Sequence, residues 1–516
     1  MRRLIFLLVL LLALIPAGAA KAAPFVVSNT EDSGSGSLRA AIEAAGTDPG
    51  EDTIEIDGTG TIELESALPV ITEDLAIAGP GAGSLTIEPA AATGFRIFSF
   101  SDGVTGSLRG LTISGGTSQQ GGGIRNGSGA LTLERVAIVG NEARDEGGTD
   151  VAAEGGGVFS EGPLTVRESV IRGNRATAVA GTTSSYARGA GVLAAGELTV
   201  ERTTISGNLA EAHGEGGKHS GALGGGLRLT GGPASVELST ISGNSVRADN
   251  SLTDEARGGG LQGNALTLTG STVTGNALFS NGGAIGADLD LDGATVVSDT
   301  IVAEPLGDAE SCGAPLESGG FNLDEDDSCG FTESSDLVGV VAGLDPVLRD
   351  NGGPTPTHAL LPGSIAIDRG SSFGNSTDQR GLPRPSDFAD VSNKEGGDGS
   401  DIGAFELQVP PAAAGGGLPV VVSERPTDKA PPQTRIVSGP PRVTYKTKAK
   451  FRFASSEGQS HFQCKLDKKK WHGCANPFRP SVKPGRHLFK VRAIDRFGNV
   501  DPTPARFGWR VKPISG

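Results

Sequence analysis

Gly155–Asn174 reads GGGVFSEGPLTVRESVIRGN and Gly258–Asn276 reads GGGLQGNALTLTGSTVTGN. Each is a glycine triplet, a run of alternating apolar and polar residues, and a Gly-Asn close. The phrase recurs between Gly121 and about Val302, and its copies align on Asn141, Asn174, Asn208, Asn244 and Asn276, spaced 33, 34, 36 and 32 residues apart. Ile138, Ile171, Ile205, Ile241 and Val273 stand three residues before these asparagines. Leu133, Val166, Val200, Val236 and Leu268 stand eight before, and Leu131, Leu164, Leu198, Ala234 and Leu266 ten before. Side chains two apart on a strand share a face, so repetition turns that face into a continuous core.

This pattern predicts an all-β chain built on a right-handed parallel β-helix, with coils rising by about 4.8 Å. Burying each column aliphatic is worth roughly 1.5–3 kcal/mol, so the coils must stack to fold. The asparagines read as a structural ladder of stacked amides, and the glycines as turn residues with positive φ.

Composition agrees with many short strands. The 516 residues include 81 glycines and only 4% aromatics. The formal charge of −16 conceals a split, because residues 431–516 carry 19 Lys and Arg against 4 Asp and Glu, a net of +15, leaving −31 on the remainder. A basic tail suits an anionic surface or polymer, or its own acidic body. The acidic body would repel phosphate, which argues against nucleic acid as the main partner.

Cys312, Cys329, Cys464 and Cys474 fall as two close pairs, which suits two local disulfides in an oxidising compartment. Neither pair has the spacing of a zinc site. Residues 1–23 read as a secretory signal peptide: Arg2 and Arg3, an apolar run Leu4–Ile15, then Ala20-Lys21-Ala22. The run is too short to span a bilayer, so the mature chain is expected to be exported with no transmembrane span.

After it, Leu38, Ala41, Ile42 and Ala45 share one helical face behind Ser37, a plausible N-cap. Such a helix would cover the end of the stack. The SLRAAI helix followed by DTIEI resembles the opening of secreted right-handed parallel β-helix proteins, with Gly36 where a cysteine is usual. Residues 24–311 are assigned to the β-helix with this N-terminal cap.

Between each asparagine and the next glycine triplet lie insertions such as RDEGGTDVAAE, AVAGTTSSYAR, EAHGEGGKHSG and RADNSLTDEAR. Polar, acidic or small, they are expected as solvated loops aligned on one side, where solenoids bind ligands.

Candidate chemistry centres on Asp288, Asp290 and Asp292. Alternating with Leu289 and Leu291, they are expected to share the outer face of one strand, where carboxylates could bind Ca²⁺ or act as acid and base on a glycosidic bond. Other copies of the strand are read as bringing no Asp, Arg or Lys into register, which favours a solvated face. His213 and His219 lie in one glycine-rich insertion without a third ligand. Asp324-Glu325-Asp326-Asp327 lacks the glycine and terminal glutamate of an EF-hand loop.

Residues 312–407 contain DNGGPTPTHALLPGSIAIDRG, DQRG and DIGAFE, and resemble the choice-of-anchor Q domain of secreted bacterial β-helix proteins. The resemblance implies surface display or secretion. The segment is read as final coils plus a cap, with His358, Asp368, Asp378 and Arg380 at family positions holding it together. Residues 408–432 form a Pro/Gly/Ala linker. Residues 433–516 alternate apolar and polar residues between turns, which suits a small β-sandwich. Through FQCKLD and GRHLFKVRAIDRFGNVD they resemble bacterial Ig-like domains, with Cys464 and Cys474 clipping a hairpin.

The functional expectation is an extracellular or cell-surface monomer that binds a glycan or an anionic cell-envelope polymer through the basic C-terminal domain, without catalysis or cofactor. The alternatives are a polysaccharide lyase or glycoside hydrolase using the Asp trio, and a passive stalk.

Overall fold

The computed structural model describes residues 24–409 and 431–513, apart from 48–49, 92–93, 149, 181–183, 215–218, 250–254, 281–282, 308, 456–460, 470, 475–477 and 495–498. The expected signal peptide and most of the expected linker lie outside the described residues. Two compact units divide at Pro410.

The first unit is a parallel β-solenoid. Its first sheet has eleven strands, from Phe25–Val27 through Leu131–Glu134 to Glu317–Gly320, and a second sheet of eleven runs from Gly60–Leu64 through Ala137–Val139 to Leu337–Val338. A third sheet of seven strands starts at Phe98–Phe100 and ends at Leu289–Leu291. The register pairs Leu131 with Leu164, Leu198, Ala234 and Leu266 in turn. Their side chains join Leu133, Ile138 and their equivalents in one core running the length of the stack.

The helix Leu38–Ala45 is capped by Ser37, whose side chain accepts from Ala40 N. Its apolar residues Leu38, Ala41, Ile42 and Ala45 enter the same core as the first coils.

The insertions depart from expectation. In place of solvated loops their described residues form two further parallel sheets at one corner of the coils that carry them, while 149, 181–183, 215–218 and 250–254 lie outside the described residues. The fourth sheet has seven strands, from Thr117–Ser118 to Leu306–Gly307, and the fifth has five, from Val151–Glu154 to Gly283–Ile285. Alanine makes this possible. Ala178, Ala212 and Ala248 stack in the fourth sheet, and Ala153, Ala187, Ala222 and Ala256 in the fifth. All are fully buried in a second core shared by the two sheets. Side chains this small let a strand turn back on its neighbour while every alternate position stays dry.

The segment after Cys312 continues the solenoid briefly, through Glu317–Gly320 in the first sheet and Leu323–Asp324 in the second. Beyond Val338 it runs as a strap across the outer face of the second sheet. Gln379 Nε2 donates to Thr204 Oγ1 at 2.9 Å, Thr240 Oγ1 donates to Gln379 Oε1 at 2.6 Å, and Ala404 N donates to Thr272 Oγ1 at 3.1 Å. His358 bridges Ser242 Oγ and Asp345 O. Where the outer column turns apolar, at Ile301, Ala303 and Leu323, the strap supplies Leu344, Leu360, Ile367 and Phe405. The segment therefore shares a unit with the solenoid, and most of it lies along a side rather than over the end.

The second unit is a small β domain. A strand pair, Thr434–Ser438 with Arg452–Ser455, packs with a five-stranded mixed sheet in the order Val443–Thr444, Ala505–Val511, Gly485–Ile494, His461–Leu466 and His472–Gly473. Phe451, Phe453, Phe489 and Trp509 fill its core. Cys464–Cys474 and Cys312–Cys329 are disulfides, with Cα separations of 5.7 and 4.9 Å.

Candidate functional site

The asparagine column forms a ladder. Each Nδ2 donates to the next Oδ1, from Asn141 to Asn174 at 3.0 Å, Asn174 to Asn208 at 2.9 Å, Asn208 to Asn244 at 2.8 Å and Asn244 to Asn276 at 2.9 Å. The second amide hydrogen goes to an isoleucine carbonyl of the preceding coil, as from Asn174 to Ile138 O at 3.0 Å. All five side chains are fully buried.

The Asp trio does not share one outer face. Asp288 points inward and ends the ladder, accepting from Asn276 Nδ2 at 2.8 Å. The register explains this. Ile301–Ala303 align with Thr272–Thr274, so Pro305 stands where the next asparagine belongs and offers no amide. Asp288 follows Gly286 and Ala287 at the third-glycine position. In other coils a Cβ there would crowd the asparagine, as at Gly157, 3.1 Å from Asn174 Cγ. With no asparagine in its own coil, Asp288 has room and its carboxyl takes over the acceptor role. Burial pushes that carboxyl well above the usual range.

Asp290 does face outward on the third sheet, but it is buried and clamped by Arg257, whose Nε and Nη2 lie 2.7 and 3.1 Å from its two oxygens. Asp292 is exposed. The trio is thus divided among a ladder end, an ion pair and the surface. Other copies do bring charge into register, against expectation. The outward column of the third sheet reads Ser99, Arg125, Phe159, Leu193, Arg228, Gln262 and Asp290.

That column forms one wall of a groove. The facing wall is the last position of the fifth sheet: Glu154, Arg188, Leu223 and Arg257. Between them lies a cavity of about 350 Å³ lined by Glu154, Phe159, Arg188, Leu193, Arg228 and Thr230, among others. Arg188 Nη1 is 2.8 Å from Glu154 Oε1, and its guanidinium lies over the Tyr186 ring, 4.6 Å from the centroid. Arg228 Nε is buried and has no hydrogen-bond partner among the described residues. Burial, and then the Arg188 charge, hold the Arg228 guanidinium below its ordinary range.

The other candidates serve local structure. His213 pairs with Glu211 at 3.3 Å. Asp324 accepts from Cys329 N at 2.8 Å and Asp326 from Ser311 N at 2.9 Å, tying the acidic run to the disulfide loop. Burial raises Asp324 to about 7. Among the described residues no three His, Cys, Asp or Glu side chains converge as metal ligands would. In the strap, Asp378 receives the Arg380 backbone N–H, Nε and Nη2 at 2.9, 2.8 and 2.6 Å, and Asp368 accepts from Phe388 N.

The C-terminal sheet has a core face and a basic face. Lys490 stands directly between Lys465 and Arg506 on the neighbouring strands, and Arg486 faces Arg510. Two positions along, Arg492 bonds Gln463 Oε1 and lies over the Trp471 ring at 4.5 Å. None of these cations forms an ion pair among the described residues. No described helix is long and apolar enough to cross a membrane. Compared with known families and with curated proteins, the chain matches no family model and no curated sequence.

Proposed function

We propose that this is an exported extracellular or cell-surface protein that binds an anionic cell-envelope polymer through the basic face of its C-terminal sheet, with the solenoid as a rigid carrier and no catalysis of its own. One observation carries this reading: the row Lys465–Lys490–Arg506 across three adjacent strands. Like charges directly opposite destabilise a sheet, so three in a row need a compensating benefit, and a polyanion supplies one. Two disulfides fit an oxidising compartment. The resemblance of residues 312–407 to choice-of-anchor Q domains, and of the tail to bacterial Ig-like domains, points to the cell surface as well. The enzymatic alternative loses support because Asp288 and Asp290 are committed to structural bonds.

Sedimentation of the mature chain with cell-envelope fractions over a salt series tests the reading. Binding should weaken as salt rises and should fall sharply in a Lys465→Gln/Lys490→Gln/Arg506→Gln variant. Retention indifferent to both salt and the triple substitution would refute it.

A further inference from the structure

We infer that the groove between the third and fifth sheets of the solenoid binds a carboxylated sugar residue of a glycan chain, with Arg188 and Arg228 receiving the carboxylate. The inference stands on the solenoid alone and does not depend on the basic face of the C-terminal sheet.

Size and lining come first. A cavity of about 350 Å³ falls within the roughly 300–1,000 Å³ typical of small-ligand sites. Phe159 and Leu193 give it an apolar floor and Leu223 lines its side, which suits the C–H faces of a pyranose ring. Thr230 and Glu154 stand among the lining residues as hydroxyl partners. The Tyr186 ring lies beside Arg188, over the Cα of Gly221, where a Cβ would come within 2.7 Å of it. That ring is half-buried and extends the apolar surface beyond the floor.

Charge then selects the ligand. Arg188 and Arg228 sit on neighbouring coils in the two walls, and Glu154 offsets one of them. Among the side chains that line the cavity the surplus is one positive charge, which matches one carboxylate better than a dianionic phosphate. Arg228 has a buried Nε without an acceptor among the described residues, and a guanidinium presents its donors as a planar fork that a carboxylate fits. The Glu154 bond and the Tyr186 ring hold the Arg188 plane in place.

The register extends the site. Arg125 lies further along the same outward column in one direction, and Gln262 and the Arg257–Asp290 pair in the other. The groove therefore runs across successive coils, which suits a chain of sugars better than a single one.

Calorimetric titration of the mature chain tests this, using trisaccharides of galacturonate, of mannuronate and of alternating glucuronate and N-acetylglucosamine, each beside its methyl ester. At least one acidic trisaccharide should bind, and its ester tenfold or more weakly. Arg228→Met should lose tenfold or more, in line with the strength of charge-assisted hydrogen bonds. Arg228→Lys, which keeps the charge without the fork, should lose severalfold. The Lys465→Gln/Lys490→Gln/Arg506→Gln variant should bind as the parent does, and inorganic phosphate should not compete. Failure of all three acidic trisaccharides to bind, equal binding of the esters, parental affinity in both Arg228 variants, or displacement by phosphate would each overturn the assignment.

Discussion

Asn276 Nδ2 donates to Asp288 Oδ1 at 2.8 Å, and with that bond a ladder of five asparagines ends on a carboxyl from the next coil. An acceptor is what the position demands, and charge is a burden there because Asp288 is fully buried. Asp288→Asn should therefore keep the bond and leave stability unchanged or slightly raised. Asp288→Ala strands the Asn276 amide and should cost about 1–3 kcal/mol. Chemical denaturation of the two variants side by side checks the order, and equal losses would contradict it.

The third glycine of each triplet makes a related prediction. A Cβ on Gly226 would lie 2.6 Å from Gly260 O and 3.0 Å from Asn244 Nδ2. Gly226→Ala has nowhere to shift, since both neighbours belong to ladders, and should cost about 1–3 kcal/mol by overpacking. The same change at Gly140, whose added Cβ would meet nothing within 4 Å, is governed only by its positive φ of 64°. A smaller loss at Gly226 than at Gly140 would mean that the ladder corner yields.

How much of this was legible in the sequence depends on the side chains involved. The core columns were readable because Leu, Ile and Val at alternate positions have one physical explanation, burial on a strand. The corner sheets were not, although AVA in Ala178–Ala180 and AEA in Ala210–Ala212 also alternate. Alanine is depleted in strands, and glycine and aspartate between the runs look like loop. The groove was missed differently. Its column mixes Arg125, Phe159, Leu193, Arg228, Gln262 and Asp290, so it shows no repeat, yet each residue stands two places after a glycine triplet or its equivalent. Asp288 looked like part of a carboxylate row because nothing local reveals that Pro305 has replaced an asparagine.

The alanine core invites a local test. Ala212 is fully buried between Ala178 and Ala248. Ala212→Leu has no room and should cost about 1–3 kcal/mol, expressed as faster amide exchange in residues 209–214 and 220–223. Strands of the main core, such as Leu198–Glu201, should keep their protection, because the corner sheets have their own core. Uniform loss of protection would show that the two cores unfold together.

Arg257 and Asp290 bear on the catalytic alternative. Removing the cation leaves a buried carboxylate unpaired, which is the costlier half of an ion pair to lose. Arg257→Met should destabilise by about 1–3 kcal/mol, and Asp290→Asn by less, because an amide can still accept from the guanidinium. The reverse order in denaturation midpoints would release Asp290 from the structural role described here.

The strap supplies a pH dependence of unusual sign. Arg384 is fully buried and pairs with Asp299 and, at 3.6 Å, with Glu406, while also bonding Asp401 O at 2.6 Å. One guanidinium thus pairs with two carboxyl groups and a backbone carbonyl, with the Asp401 carboxyl close enough to act on its charge. Burial pushes Asp299 well above the usual range, Asp401 to about 7 and Glu406 to about 8. In the unfolded chain such groups titrate near 4. Since the folded values are raised, the folded strap holds protons that the unfolded chain has released, and stability must fall as pH rises. The contribution of Asp401 and Glu406 is complete below about pH 4 and is lost as pH climbs through about 7 to 8, and the raised Asp299 acts in the same direction. The chain should therefore melt at a higher temperature at pH 5.5 than at pH 8.5, with the strap between Leu344 and Leu407 the first segment to become susceptible to protease at the higher pH. Glu406→Gln removes one titrating group and should flatten the slope. A melting temperature that rises from pH 5.5 to 8.5 would mean that these carboxyls are ionised in the folded chain and that Arg384 is compensated by full charges.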